Sequence, residues 1–149
     1  AVAPRADGGH VYVADTLNNR VCAFTREGKF ERSYGKHCRK GSVRARAPGY
    51  FHLPRSVAFV RGHLVVVEDR RLQVLTLDGE VLREYVSPGA WPWCERIPGV
   101  ACETLQRWRD GNLPRHQCFW TSMCVFGGQL ILGDLYDDGL SALTVLQGL

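Results

Sequence analysis

Apolar residues in this chain alternate with polar ones or run in short blocks, and the blocks are cut by Gly, Asp and Asn. Val57-Ala58-Phe59-Val60 ends at Arg61-Gly62. His63 to Val67 ends at Glu68-Asp69. Leu72 to Thr76 stops before Asp78-Gly79, and Glu80 to Tyr85 follows. A helix would place apolar residues three and four apart, whereas alternation and short apolar runs belong to strands. Asp-Gly between two such runs favours a hairpin, because glycine accepts the positive φ that tight turns require. The pattern predicts short antiparallel strands, four to a unit.

The unit repeats. Gly9-His10-Val11-Tyr12-Val13-Ala14-Asp15 resembles Gly62-His63-Leu64-Val65-Val66-Val67-Glu68-Asp69, and both resemble Gly128-Gln129-Leu130-Ile131-Leu132-Gly133-Asp134. Downstream of the first two copies, Arg20 and Arg71, Gly28 and Gly79, and Tyr34 and Tyr85 share one offset of 51 positions. Repeated four-stranded antiparallel units are the sequence sign of β-propeller blades. The expected fold is therefore all-β: an incomplete propeller of about three four-stranded blades in a single domain spanning 1–149. Blade one covers 1–35, blade two 54–86 and blade three 120–149, with an irregular insertion at 87–119. A fourth, degenerate blade in 87–118 is not expected, because that segment lacks alternation and is rich in Pro, Trp and Cys.

The run Val11-Tyr12-Val13-Ala14-Asp15-Thr16-Leu17-Asn18-Asn19-Arg20-Val21, with Phe24 and Glu27-Gly28-Lys29-Phe30, resembles the NHL repeat of β-propellers. The match is close in blade one, fair in blade two, where the Asn-Asn pair is missing, and weak in blade three. The resemblance implies a scaffold, usually of six blades, whose members range from protein and RNA binders to amidating lyases. Three blades leave strand edges unpaired, so the chain is expected to be a fragment of a longer protein; pairing of two copies into one ring is the other option.

Two stretches fall outside the repeat, 36–54 and 87–119. Both join the outer strand of one blade to the inner strand of the next. In an up-and-down blade they share a face of the disc with the loops at Asp15–Asn19, Glu68–Arg70 and Asp134–Gly139. Tight turns occupy the other face. Binding residues gather on loops held by a rigid scaffold, so the elaborated face is the expected site.

The first stretch carries Lys36, His37, Arg39, Lys40, Arg44 and Arg46 with no acidic residue, a local charge of +5 within a chain whose net charge is +4. It can steer an acidic protein surface or hold a phosphate backbone, or be a solvated loop. Sixteen of the nineteen cations are Arg, as a GC-rich coding sequence would also give. Tyr50 and Phe51 are the aromatics nearby, and Phe51 is expected to plug the core rather than to stack bases. The second stretch holds Trp91, Trp93 and Trp108, with Trp120 at its exit. Exposed Trp and Arg anchor interfaces; the alternative is a small core private to the insertion. Ala101 to Arg109 is expected as one short helix.

Six cysteines are present. Cys38, Cys94, Cys102 and Cys118 lie in the two stretches and are the candidates for disulfides. Cys22 and Cys124 lie within strands, where a reduced, buried Cys acts as a small apolar residue. The spacings match no zinc pattern, and no nucleophile elbow or Gly-rich phosphate loop occurs, so no catalytic residue, metal or cofactor is expected. Asp15, Asp69 and Asp134 end the second strand of each unit. The expected role is structural, each capping its loop and pairing with a following Arg, here Arg20 and Arg70 or Arg71. The alternative is a row of acids around a channel cation. No apolar stretch approaches the roughly 18 residues of a membrane helix.

The function expected from these residues is a non-catalytic, protein-binding scaffold module within a larger assembly. It would use Trp91, Trp93 and Trp108, steered by Arg39, Lys40, Arg44 and Arg46. The rival expectations are RNA or polyanion binding by 36–46, and a metal-dependent lyase or hydrolase of propeller type.

Overall fold

The computed structural model describes residues 2–4, 9–35, 47–68, 71–86, 101–104, 118–126, 129–136 and 141–146. These form an all-β architecture of three sheets, each built from consecutive strands. The first holds β1 (Val2–Pro4), β2 (His10–Asp15), β3 (Arg20–Thr25) and β4 (Phe30–Tyr34), with a 3-10 turn at Thr16–Asn18 between β2 and β3. The second holds β5 (Ser56–Val60), β6 (His63–Val67), β7 (Arg71–Leu75), β8 (Val81–Val86) and β9 (Ala101–Thr104). The third holds β10 (Cys118–Phe126), β11 (Gln129–Tyr136) and β12 (Ser141–Leu146). Neighbours pair antiparallel throughout, except that β9 runs parallel to β8.

The first strands of successive sheets lie side by side, β1 against β5 and β5 against β10. Sheets that meet along their first strands and fan outward are blades around an axis, and the chain is an incomplete β-propeller.

Side-chain alternation explains why the second blade reads as unbroken apolar sequence. Leu64, Val66, Val57 and Leu75 point to the first blade and meet Tyr12, Ala14, Val21, Ala23, Tyr34 and Phe51. Val65, Val67, Ala58, Val60, Leu72 and Val74 point the other way and meet Leu130 and Leu132 of β11. A strand covered on both faces needs apolar residues at every position, and each such side chain contributes about 1.5–3 kcal/mol on burial.

The outer hairpins of blades one and two are copies in their bonding. Thr25 N–H donates to the Lys29 carbonyl and Gly28 N–H to the Thr25 carbonyl; Thr76, Glu80 and Gly79 make the same pair of bonds. Gly28 and Gly79 have φ of 83° and 91°, and both blades carry a register shift just before the turn, at Ala23/Phe24 and Val74/Leu75. The Arg61-Gly62 turn has positive φ at both residues, the geometry that matches the twist of a two-residue hairpin.

Two expectations are corrected here. Residues 101–104 of the expected helix are strand β9, because the outer edge of β8 presents unpaired backbone groups that an extended segment satisfies; residues 105–109 lie outside the described residues. Cys124 is exposed rather than buried: along β10 it is the neighbouring Met123, opposite Leu132, that packs on the core, and Cys124, opposite Ile131, is left at the surface. Cys22 is buried. No helix among the described residues is long and apolar enough to cross a membrane.

Candidate interaction face

At one end of the blades the connections are long, and hydrogen bonds lock them to one another. Asp15 closes β2 and organises the turn that follows. Arg20 Nε donates to Asp15 Oδ2 at 2.7 Å, and Asn18 Nδ2 donates to both Asp15 oxygens at 2.9 and 3.0 Å. Asn19 then enters the left-handed region at φ 54°, which Asn tolerates better than most residues, and its N–H caps the turn on the Thr16 carbonyl. The Arg20 hydrogen bond holds the Asp15 carboxyl below its ordinary pKa; slight burial opposes this and Asn18 adds to it. The same contact raises Arg20.

This turn grips the segment that leads into blade two. Thr16 Oγ1 donates to the Pro54 carbonyl at 2.8 Å, and the Leu53 N–H donates to Asn19 Oδ1 at 2.8 Å. Phe51, 1% exposed, fills the wedge between blades one and two. Gly35, at φ 106°, ends β4 beneath the same contact: a Cβ there would stand 2.9 Å from both the Asn19 carbonyl oxygen and Phe51 Cδ2.

In blade two the corresponding acid is Glu68. Arg71 makes a two-pronged pair with it, Nε to Oε1 at 3.0 Å and Nη2 to Oε2 at 2.8 Å, and reaches Glu84 Oε1 through Nη1 at 3.0 Å. Gln73 Nε2 donates to Glu68 Oε1 at 2.7 Å and to the Tyr50 carbonyl at 3.0 Å; Arg71 Nη2 also donates to that carbonyl. The Gly49 N–H donates to Gln73 Oε1 and the His52 N–H to Glu68 Oε2, each at 2.8 Å. Glu68, Arg71, Gln73 and Glu84 are all buried. Burial works against the Arg71 charge, yet the facing Glu68 and Glu84 carboxylates outweigh it and raise its pKa. Residues 47–54 are thus sewn to the turn of blade one on one side and to the buried cluster of blade two on the other.

The connections to blade three start and finish at this end too. Val86 closes β8 opposite Arg71, and Cys118 opens β10 opposite Tyr136. Asp134 pairs with Trp120 and Ala142 as a strand position, and Cys102 sits opposite Glu84. Trp91, Trp93, Trp108, Arg39, Lys40, Arg44, Arg46, Cys38, Cys94 and Asp69 lie outside the described residues. Among the described residues, no group of three or more His, Cys, Asp or Glu is gathered to hold a metal ion.

Four residues that matter at this end were passed over in the sequence. Glu68 was overshadowed by Asp69 beside it, and the shorter loop of blade two, with three residues from acid to Arg instead of five, is the signal that shifts the pairing back by one. Gln73 and Glu84 are polar residues inside an apolar repeat. Leu17 stands at the crest of the 3-10 turn and is 87% exposed.

No family model matches this chain. No curated protein matches it either. Among solved structures it is similar to a streptogramin B lyase, with 13% sequence identity and a TM-score of 0.40, over 99% of this chain and 40% of that one. The chain thus spans well under half the length of that structure.

Proposed function

We propose that this chain is a non-catalytic module of an NHL-type propeller that binds a protein partner on its loop-bearing face. The observation that carries this is the double latch on residues 47–54, held by Asn19 and Thr16 from blade one and by Glu68, Arg71 and Gln73 from blade two. Such bonds fix loop conformation before any partner arrives, which lowers the ordering cost of association. At the opposite end the described turns are tight and self-bonded. The Trp-bearing insertion, with Trp91, Trp93 and Trp108, supplies the residue type that most often anchors protein interfaces, and its flanking strands end on the latched face.

Photo-crosslinking in the full chain tests this. A photoreactive residue at Asn18 or His52, both exposed on the latched face, is expected to give discrete protein adducts, and one at Glu27 or Asp78 on the opposite face is not. Replacing Trp91 and Trp93 by Ala should weaken adduct formation without changing folded content. Adducts equal on both faces, or absent from Asn18 and His52, would overturn the proposal.

A further inference from the structure

Blade two has a fifth strand with no counterpart in blade one among the described residues. Strand β9 lies along the outer edge of β8 and runs parallel to it, with Arg83 opposite Ala101 and Val86 opposite Thr104. Strand β4 is the copy of β8 in blade one. Both follow a hairpin with the same hydrogen bonds, and both carry the same register shift against the preceding strand. Arg32 and Tyr34 stand 51 positions before Arg83 and Tyr85. Among the described residues, however, β4 ends its sheet and its outer edge carries no strand. Ser33 marks the difference: it is exposed, whereas Glu84, its copy, is 1% exposed.

Alternate residues of an edge strand turn their N–H and C=O groups outward, a row with which another extended chain can pair. Proteins usually guard such an edge with charge. The two charged side chains of β4 are both tied to neighbours within the chain. Glu31 Oε2 lies 2.6 Å from His10 Nε2 on β2, and Arg32 Nη1 donates at 3.2 Å to the Leu77 carbonyl in the outer hairpin of blade two. Phe30, at the start of the strand, is 52% exposed and meets Phe24 edge-on, with ring centroids 5.8 Å apart. The register of β9, moved back by 51 positions, falls on Arg32 to Gly35. A parallel strand in that register brings the residues just before it alongside Phe30.

Only an extended chain satisfies a row of main-chain donors and acceptors, and β9 gives the direction that this edge takes in the same fold. Two copies of this chain related by a twofold axis would pair β4 with β4 antiparallel, so the precedent of blade two favours a segment of a different protein. We propose that the outer edge of β4 receives an extended segment of a protein partner as a parallel strand, with a large apolar residue near its N-terminal end packed on Phe30. This edge is the outer rim of blade one, a surface apart from the loop-bearing face, and the inference stands or falls independently of the function proposed above.

Panning random displayed decapeptides against the full chain tests it. Enriched sequences are expected to carry a large apolar residue followed by β-branched or small residues. In a synthetic peptide from that set, N-methylation of alternate residues should weaken binding at least about tenfold, and N-methylation of the residues between them should not, because only one edge of the peptide pairs. Phe30→Ala should weaken binding severalfold with folded content unchanged. Arg32→Pro and Ser33→Pro remove one outward and one inward N–H; the variant that stays folded should lose the peptide. A photoreactive group at the N-terminus of the peptide should label residues 29–31, and one at its C-terminus residues 34–35. The reverse labelling would overturn the parallel strand. Uniform tolerance of N-methylation, labelling away from β4, or no enriched peptide would overturn the proposal. So would self-association of the chain that Phe30→Ala abolishes, since the occupant would then be a second copy.

Discussion

Arg20 and Arg71 occupy the same position of consecutive blades, 51 residues apart, and each pairs with the acid that ends the preceding strand, yet their surroundings are opposite. The Arg20 side chain is 45% exposed and bonds Asp15; that of Arg71 is 11% exposed and lies between Glu68 and Glu84. The difference follows from position in the disc. Blade two is covered on both faces, whereas β3 and β4 carry exposed residues. Removing Arg71 strands two buried carboxylates, so Arg71→Leu is expected to cost about 3–5 kcal/mol. Arg20→Leu should cost only a small fraction of that. Urea unfolding of the two variants checks the ratio; equal midpoints would show that the buried cluster carries no special weight.

Gly35 and Gly28 both have positive φ but differ in surroundings. A methyl group at Gly28 meets nothing within 4 Å, so Gly28→Ala is expected to cost about 1 kcal/mol, the backbone effect alone. At Gly35 the methyl meets the Asn19 carbonyl oxygen and Phe51, and the added clash should raise the loss to about 2–4 kcal/mol. A thermal melt in which the two variants coincide would contradict the close approach of β4 to the blade-one turn.

The thiols should separate by reactivity. Burial pushes the Cys22 thiol up from its ordinary pKa, which lowers the thiolate fraction, and the side chain is inaccessible. Cys124 is exposed. Alkylation of the native chain followed by peptide mapping is expected to mark Cys124 well before Cys22, and the order should vanish in denaturant.

Asp15 gives a sign for acid sensitivity. Its folded pKa is depressed, first by the Arg20 hydrogen bond, so its contribution is present above the ordinary carboxylate value of about 3.9 and fades as pH falls through the folded value. The stability gap between wild type and Asp15→Asn should therefore be full near neutral pH and close in strong acid. A gap that widens on acidification would mean that the carboxyl is held protonated, against the geometry of the turn.

Much of this architecture was written locally. Alternation, Asp-Gly and Arg-Gly turns and the 51-residue spacing depend only on neighbours along the chain, and they predicted strands, hairpins and the repeat of Arg20 with Arg71 and Tyr34 with Tyr85. Strand β9 was not legible, because Ala101–Thr104 takes its conformation from the open edge of β8 rather than from its own residues. The pairing of Glu68 with Arg71 was not legible by composition, since it depends on the shorter loop that brings the end of β6 back to the start of β7.

The sequence by itself determined that the chain folds as repeated antiparallel units with its longer connections at one end, because strand period and turn chemistry act over a few residues. Tertiary packing alone decided that one arginine is buried and its copy exposed, that Phe51 is sealed between blades, and that Leu17 stands clear of its turn. Those outcomes depend on which surfaces two blades cover when they meet, and that is set by distances across the disc that spacing along the chain does not encode.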